Sequence, residues 1–155
     1  MRKLSLEEIV ASFPKKDRKL VRVSVDLSVV TWEDLDFLSW EHSSGHIAYV
    51  VYDKPYVKGL VLYKEKPGNS KVVRMCDWCK TIHGGRGITI YSSPVINNRK
   101  IVKYISVCSD LQCSLLVRGK KNLGPNQMRE TISEKKKIDR LNDGVRRFFD
   151  SVYQN

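Results

Sequence analysis

Four cysteines, the only four in the chain, fall as two close pairs: Cys76-Asp77-Trp78-Cys79 and Cys108-Ser109-Asp110-Leu111-Gln112-Cys113. Twenty-eight residues separate the pairs. Each pair can present two thiolates from one tight turn, and the intervening chain is long enough to fold back and bring the turns together, as a tetrahedral zinc site requires. The residues expected to ligate Zn2+ are therefore Cys76, Cys79, Cys108 and Cys113.

The alternative use of four cysteines is two disulfides, which belongs to an oxidising compartment. Met1-Arg2-Lys3-Leu4-Ser5-Leu6-Glu7-Glu8 turns acidic before an apolar stretch could form, which argues against a signal peptide. A metal in a reducing, cytoplasmic setting is the better inference. No run of about 18 apolar residues is present, so no membrane-spanning helix is expected. The formal net charge is +11. Residues 1–70 carry 11 Lys and Arg against 10 Asp and Glu, and residues 71–155 carry 17 against 7. The excess of +10 in the cysteine half implies an acidic or polyanionic partner there, unless it is simply a solvated face.

Along the chain, Ser5-Leu6-Glu7-Glu8 is a capping box that opens a short helix to about Phe13, stopped by Pro14. Lys15–Lys19 reads as a charged linker, and Leu20–Val25 alternates as a strand does. Thr31 is expected to cap a helical turn with Asp34 at its third position; Trp32, Leu35 or Phe37, and Trp40 are core candidates, with a binding surface as the other use of such clustered aromatics. His46–Tyr52 and Val57–Lys64 form a β-hairpin across Asp53–Tyr56. A turn follows at Lys66–Ser70, and Lys71–Met75 is a strand leading into Cys76. Gly84-Gly85-Arg86-Gly87 is a sharp loop whose spacing matches neither common nucleotide-binding pattern. Ile88–Tyr91 and Lys100–Val107 are strands. Ser109 and Gln112 read as a second capping box, placing Cys113 in the first turn of a helix that ends near Arg118 with Gly119 as its cap; the positive helix start would favour a thiolate there. Knuckle, hairpin and helix in this order make a treble clef. Thr131-Ile132-Ser133-Glu134 then caps a long helix to about Tyr153, with Ile138, Leu141, Val145, Phe148 and Val152 on one stripe and Phe149 partly exposed.

The expected fold is α+β: a small antiparallel sheet, the four-cysteine treble clef and a C-terminal amphipathic helix. Residues 1–70 form an N-terminal helix and hairpin on the same core, and residues 71–155 the zinc-binding domain. Four thiolates leave no open coordination position, so the metal is structural rather than catalytic. The deaminase pattern is absent, because neither His42 nor His46 is followed two positions later by Glu. His83, four residues after Cys79, is the one rival metal ligand; with four cysteines already sufficient, it is expected instead to hydrogen-bond a cysteine sulfur or cap the glycine loop. The chain is expected not to be an enzyme.

Three segments carry a resemblance to a known family: Trp32–Trp40, Met75–His83, and Tyr104 through Cys113 to Lys121. Together they are similar to the treble-clef domain of elongation-factor-G-binding proteins, which include the fusidic-acid-resistance proteins of FusB type. The resemblance implies a zinc-containing protein that binds translation elongation factor G and, in the resistance proteins, promotes its release from drug-stalled ribosomes. The resistance proteins look longer, with a separate helical N-terminal domain, where one short helix and a hairpin are expected here. The candidate contact residues are Tyr104, Arg118, Lys120, Lys121, Arg146 and Phe149, on a monomeric chain. The alternative is a basic zinc-finger protein binding ribosomal or other RNA, favoured by the charge and disfavoured by the lack of an RNA-binding aromatic motif.

Overall fold

Runs of β-branched and aromatic residues build an antiparallel sheet on which the rest of the chain packs. A computed structural model describes residues 1–66, 72–122 and 130–153. Helix α1 is Leu6–Ser12; the strands are β1 Phe37–Glu41, β2 Ile47–Tyr52, β3 Lys58–Lys64, β4 Arg74–Met75, β5 Ile82–His83, β6 Ile88–Pro94 and β7 Val102–Cys108. Two helices, α2 Cys113–Val117 and α3 Glu134–Tyr153, complete the order. Five strands pair as β1-β2-β3-β6-β7, while β4 and β5 form a separate ribbon at the first cysteine pair. Among the described residues no helix is long and apolar enough to cross a membrane.

Strand β2 explains the architecture. Its sequence, Ile-Ala-Tyr-Val-Val-Tyr, is apolar without a break, the mark of a strand covered on both faces. Ala48, Val50 and Tyr52 point into a core shared with the cysteines, Trp78 and α3. Tyr49 and Val51 point the other way, into a core made with Leu4, Ile9, Phe13, Val21, Trp32 and Trp40. The N-terminal segment thus covers one face of the sheet, and the metal-centre elements with α3 cover the other.

On the N-terminal face, the Ser5 capping box forms as expected, with Glu8 N donating to Ser5 Oγ and Ser5 N donating to Glu8 Oε2. Helix α1 sits so close to β3 that a Cβ on Gly59 would lie 2.7 Å from Phe13 Cδ2 and 2.7 Å from Ser12 Oγ. Phe13 cannot retreat, since it packs edge-on against Trp40 at 6.2 Å and Tyr49 at 6.0 Å. Gly59→Ala is therefore expected to lower stability by about 1–3 kcal/mol, seen as a lower denaturant midpoint at unchanged m-value.

Several expectations need correction here. Leu20–Val25 is not a strand. Arg18–Leu20 is a 3-10 turn, and the segment after it lies over the sheet face without joining the ladder. Its carbonyls are bonded by side chains from below: Tyr49 Oη donates to Leu20 O (2.6 Å) and Trp40 Nε1 to Arg22 O (2.8 Å). Within the presumed linker, Asp17 is buried and paired with Arg99 at 3.0 Å. Thr31 makes no side-chain cap; Trp32–Asp34 is a 3-10 turn, and Trp40 lies in β1. The turn expected at 66–70 falls, after Lys66, outside the described residues. At the start of α3 the hydroxyl that accepts from the backbone is Ser133, bonded by Lys136 N at 3.4 Å, rather than Thr131.

The α3 stripe holds, but it is wider than its spacing suggested. Leu141, Val145, Phe148 and Val152 are buried, and Phe149 is also buried at 1% exposure. Its ring packs on Tyr52 (5.6 Å between centroids) and stacks with Tyr153 (6.4 Å). Phe149 is a core residue and cannot contact a partner.

Candidate metal centre and the face beside it

The first cysteine pair sits in a turn between two very short strands. β4 and β5 pair as Arg74 with His83 and Met75 with Ile82, and Cys76 N donates to Thr81 O at 2.9 Å. To close this turn Lys80 takes a left-handed conformation, φ 62°, which side chains with a Cβ adopt at a cost. Asp77 fastens the turn to β7: its N–H donates to Ser106 O and its carboxylate accepts from Ser106 N, both at 2.7 Å. On the other side α3 approaches through Gly144, where a Cβ would stand 3.2 Å from Trp78 Cα and 3.3 Å from Asp77 O.

Strand β7 delivers Cys108, and Cys113 opens α2. The second capping box does not form. Ser109 Oγ donates to Arg86 O (2.6 Å) and accepts from Thr89 Oγ1 (2.9 Å), tying the glycine loop and β6 to this turn. Leu111 adopts φ 56°, which ends any helical path from Ser109, and Gln112 flanks α2 without a side-chain cap. Helix α2 has five residues, too few for its dipole to account for a thiolate. Gly119, with φ 65°, follows the helix as its expected left-handed terminator.

All four cysteines are fully buried, and their sulfurs lie within 4.8 Å of one another. Cys76 and Cys113 are 3.7 Å apart, Cys79 and Cys108 3.5 Å. A tetrahedron with metal–sulfur bonds of about 2.3 Å has sulfur–sulfur edges of about 3.8 Å, so the donor set fits zinc. Close packing sets the thiols against one another. Hydrogen bonds from Cys108 and Cys113 pull Cys76 far below the usual thiol range, while the hydrogen bonds of Cys108 and Cys76 and its own burial push Cys113 well above it. Four negative charges cannot coexist in this space unaided. A divalent cation removes the conflict.

Two side chains support the sulfurs. The Thr81 hydroxyl lies 3.2 Å from Cys79 Sγ, and His83 Nε2 lies 3.3 Å from Cys108 Sγ. Burial holds His83 below its ordinary pKa, and against a metal-bound thiolate its Nε2–H must donate. The ring also lies against Gly87, where a Cβ would meet Nδ1 at 2.6 Å. His83→Ala is expected to weaken metal affinity about 10–100-fold in a chelator competition, because outer-shell donors orient and soften the ligands.

The candidate contact residues divide. Tyr104 is 64% exposed, and Arg146 is exposed beside Asp143 at 2.8 Å. Arg118 instead folds inward, donating to Asp36 (2.5 and 3.3 Å) and to Ser114 O (3.0 Å). Lys120 pairs with Asp34 at 2.6 Å, and Lys121 with Asp110 and, at 2.7 Å, Gln112. The basic stretch after α2 thus holds the protein's own acids. A cleft of about 620 Å³ lies between the cysteine turn, β7 and α3, with Lys80, Tyr104, Lys136, Arg140, Arg147 and Phe148 among its walls. Of these, Tyr104 alone is among the contact residues expected from the sequence. Lys80 had one available signal, its place directly after C-x2-C, where the chain must reverse.

Residues 8–152 match the model of the FBP C-terminal treble-clef zinc-finger family. The chain belongs to that family. Among solved structures, this treble-clef protein is similar to the fusidic acid resistance protein FusC, with a TM-score of 0.58 and 13% sequence identity. That match covers 96% of this chain and 58% of the FusC chain, so the treble-clef protein spans little more than half of FusC. At this identity the likeness is one of fold. No curated protein matches. The family and the buried cluster of four sulfurs together make zinc the metal for which this treble clef is built.

Proposed function

We propose that the protein binds translation elongation factor G, and that Cys76, Cys79, Cys108 and Cys113 hold a structural zinc ion that keeps the binding face in shape. The observation that carries this reading is the correspondence, over 96% of the chain, with the fold of a fusidic acid resistance protein, together with membership of the same zinc-finger family that the sequence segments resemble. Four thiolates close the coordination sphere, so the metal's role is architectural and the protein acts by binding rather than by catalysis. Modulating release of the factor from the ribosome is the activity that follows. The charge excess of residues 71–155 suits an acidic partner by steering its approach. Tyr104 is the contact candidate that is both exposed and outside any ion pair; Arg146, Lys120 and Lys121 are held by Asp143, Asp34 and Asp110, Arg118 is nearly buried on Asp36, and Phe149 is core.

The test is calorimetric titration of the zinc-loaded chain into elongation factor G at low ionic strength. A one-to-one complex that weakens as salt is added is expected. Absence of binding heat at low salt, with the chain folded and zinc-loaded, overturns the reading.

A further inference from the structure

The cleft beside the cysteine turn has an unusual charge inventory. Among the described residues Lys80, Lys136 and Arg147 have no ion-pair partner, whereas Arg140 is engaged by Glu130 and Cys79 O. The same lining holds Asp77, whose carboxylate accepts from Ser106 N, Asp143, which pairs with Arg146, and Asp139. The exposed Tyr104 and the buried Phe148 belong to the same lining and supply its aromatic surface. A nucleic acid backbone offers anions for the cations but no aliphatic side chain for the apolar part of the lining. An acidic peptide offers carboxylates for Lys80, Lys136 and Arg147, a backbone N–H for Asp139 and an apolar side chain to set against Phe148 and Tyr104. About 620 Å³ is within the range of sites that enclose a few side chains.

Lys80 adds an independent observation. It occupies a left-handed position, φ 62°, at which glycine would be unstrained, and its side chain lines the cleft. The fold alone would be better served by glycine. We propose that this cleft receives an acidic peptide segment of a protein partner, and that Lys80 is a specificity-determining residue that reads its carboxylates. The inference deepens the reading as a binder of elongation factor G and rests on it only for the partner's identity.

Lys80→Gly separates the two roles. Relief of backbone strain raises Tm by about 2–4 °C, while binding falls at least tenfold; Lys19→Ala, an exposed control on the N-terminal face, alters neither. Calorimetry with elongation factor G is paired with NMR titration of the zinc-loaded full chain. The NMR probes are a capped peptide with glutamates on both sides of a Leu-Phe pair, and an oligouridylate of similar length. The peptide is expected to shift amide resonances of Lys80, Tyr104 and the Asp139–Phe148 stretch, and to lose that effect with Lys80→Gly. The cleft proposal is overturned if Lys80→Gly binds both factor and peptide like the parent, if the peptide leaves these amides unmoved, or if the oligouridylate moves them at lower concentration than the peptide. If the factor fails to bind while the peptide maps to the cleft in a Lys80-dependent way, the reading of the partner falls and the cleft stands. If the factor binds parent and Lys80→Gly alike, that reading stands and the cleft proposal falls.

Discussion

Removing the metal with a strong chelator is expected to lower Tm by about 10–20 °C or to abolish the cooperative transition, and Cys113→Ser is expected to reproduce this with loss of bound zinc. The sulfurs sit inside the core rather than on an appendage. Trp78, inside the first cysteine pair, packs against Phe37 at 5.0 Å and Phe148 at 6.3 Å, and so joins the sheet to α3. The strands that present this pair are two residues each, too short to stand without the ion. Structural zinc contributes about 10–16 kcal/mol of apparent binding free energy in small fingers. The stability of a whole domain is about 5–15 kcal/mol. Even a fraction of the metal term is therefore decisive at this site. Metal affinity should also fall as pH is lowered, since protons compete for the thiolates. Thermal melts with and without chelator, alongside metal analysis by atomic absorption, check the claim. An unchanged Tm in fully demetallated protein would refute it.

Asp36→Ala is expected to cost about 3–5 kcal/mol, the usual penalty for stripping one partner from a buried ion pair. Asp36 is 2% exposed. Its carboxylate accepts from Arg118 at 2.5 Å and from Asn142 Nδ2 at 2.8 Å, and its backbone N–H donates to Ser114 Oγ at 3.0 Å. One residue before β1 thus ties α2 and α3 together, and its loss leaves the Arg118 guanidinium nearly buried without a counter-charge. Arg118→Ala in the same chain should recover part of the deficit, so the double variant loses less than the sum of the two single ones. Denaturant unfolding of the four proteins measures this coupling. Strict additivity would mean that the pair carries no energy.

Much of the framework could be read from local pattern. The cysteine spacing, the Ser5 capping box, the β2–β3 hairpin and the helical stripe of α3 all depend on neighbours close in sequence. What escaped depends on distant ones. Leu20–Val25 has the alternation of a strand, but its carbonyls are taken by Tyr49 and Trp40, which no local rule could supply. Ser109 and Gln112 have capping-box spacing, yet the left-handed Leu111 diverts the chain so that Cys113 can meet Cys76. Arg118 and Lys120 look like free surface cations because their acids lie 82 and 86 residues away. Phe149 next to Phe148 looked too crowded for one stripe, until α3 proved to be clasped by both Tyr52 and Tyr153.

The contact of Asp77 with Ser106 has a consequence beyond holding the cysteine turn. β7 is an outer strand of the five-stranded sheet, with one side of its backbone open to pairing. The two Asp77 bonds occupy that side at Ser106, as a short plug would. Exposed strand edges are templates on which further chains add and aggregate. When the ion leaves, the cysteine turn lets go and the plug goes with it. Demetallated protein is therefore expected to scatter more light than the zinc-loaded form at equal concentration, and equal scattering by the two would show that the β7 edge stays covered.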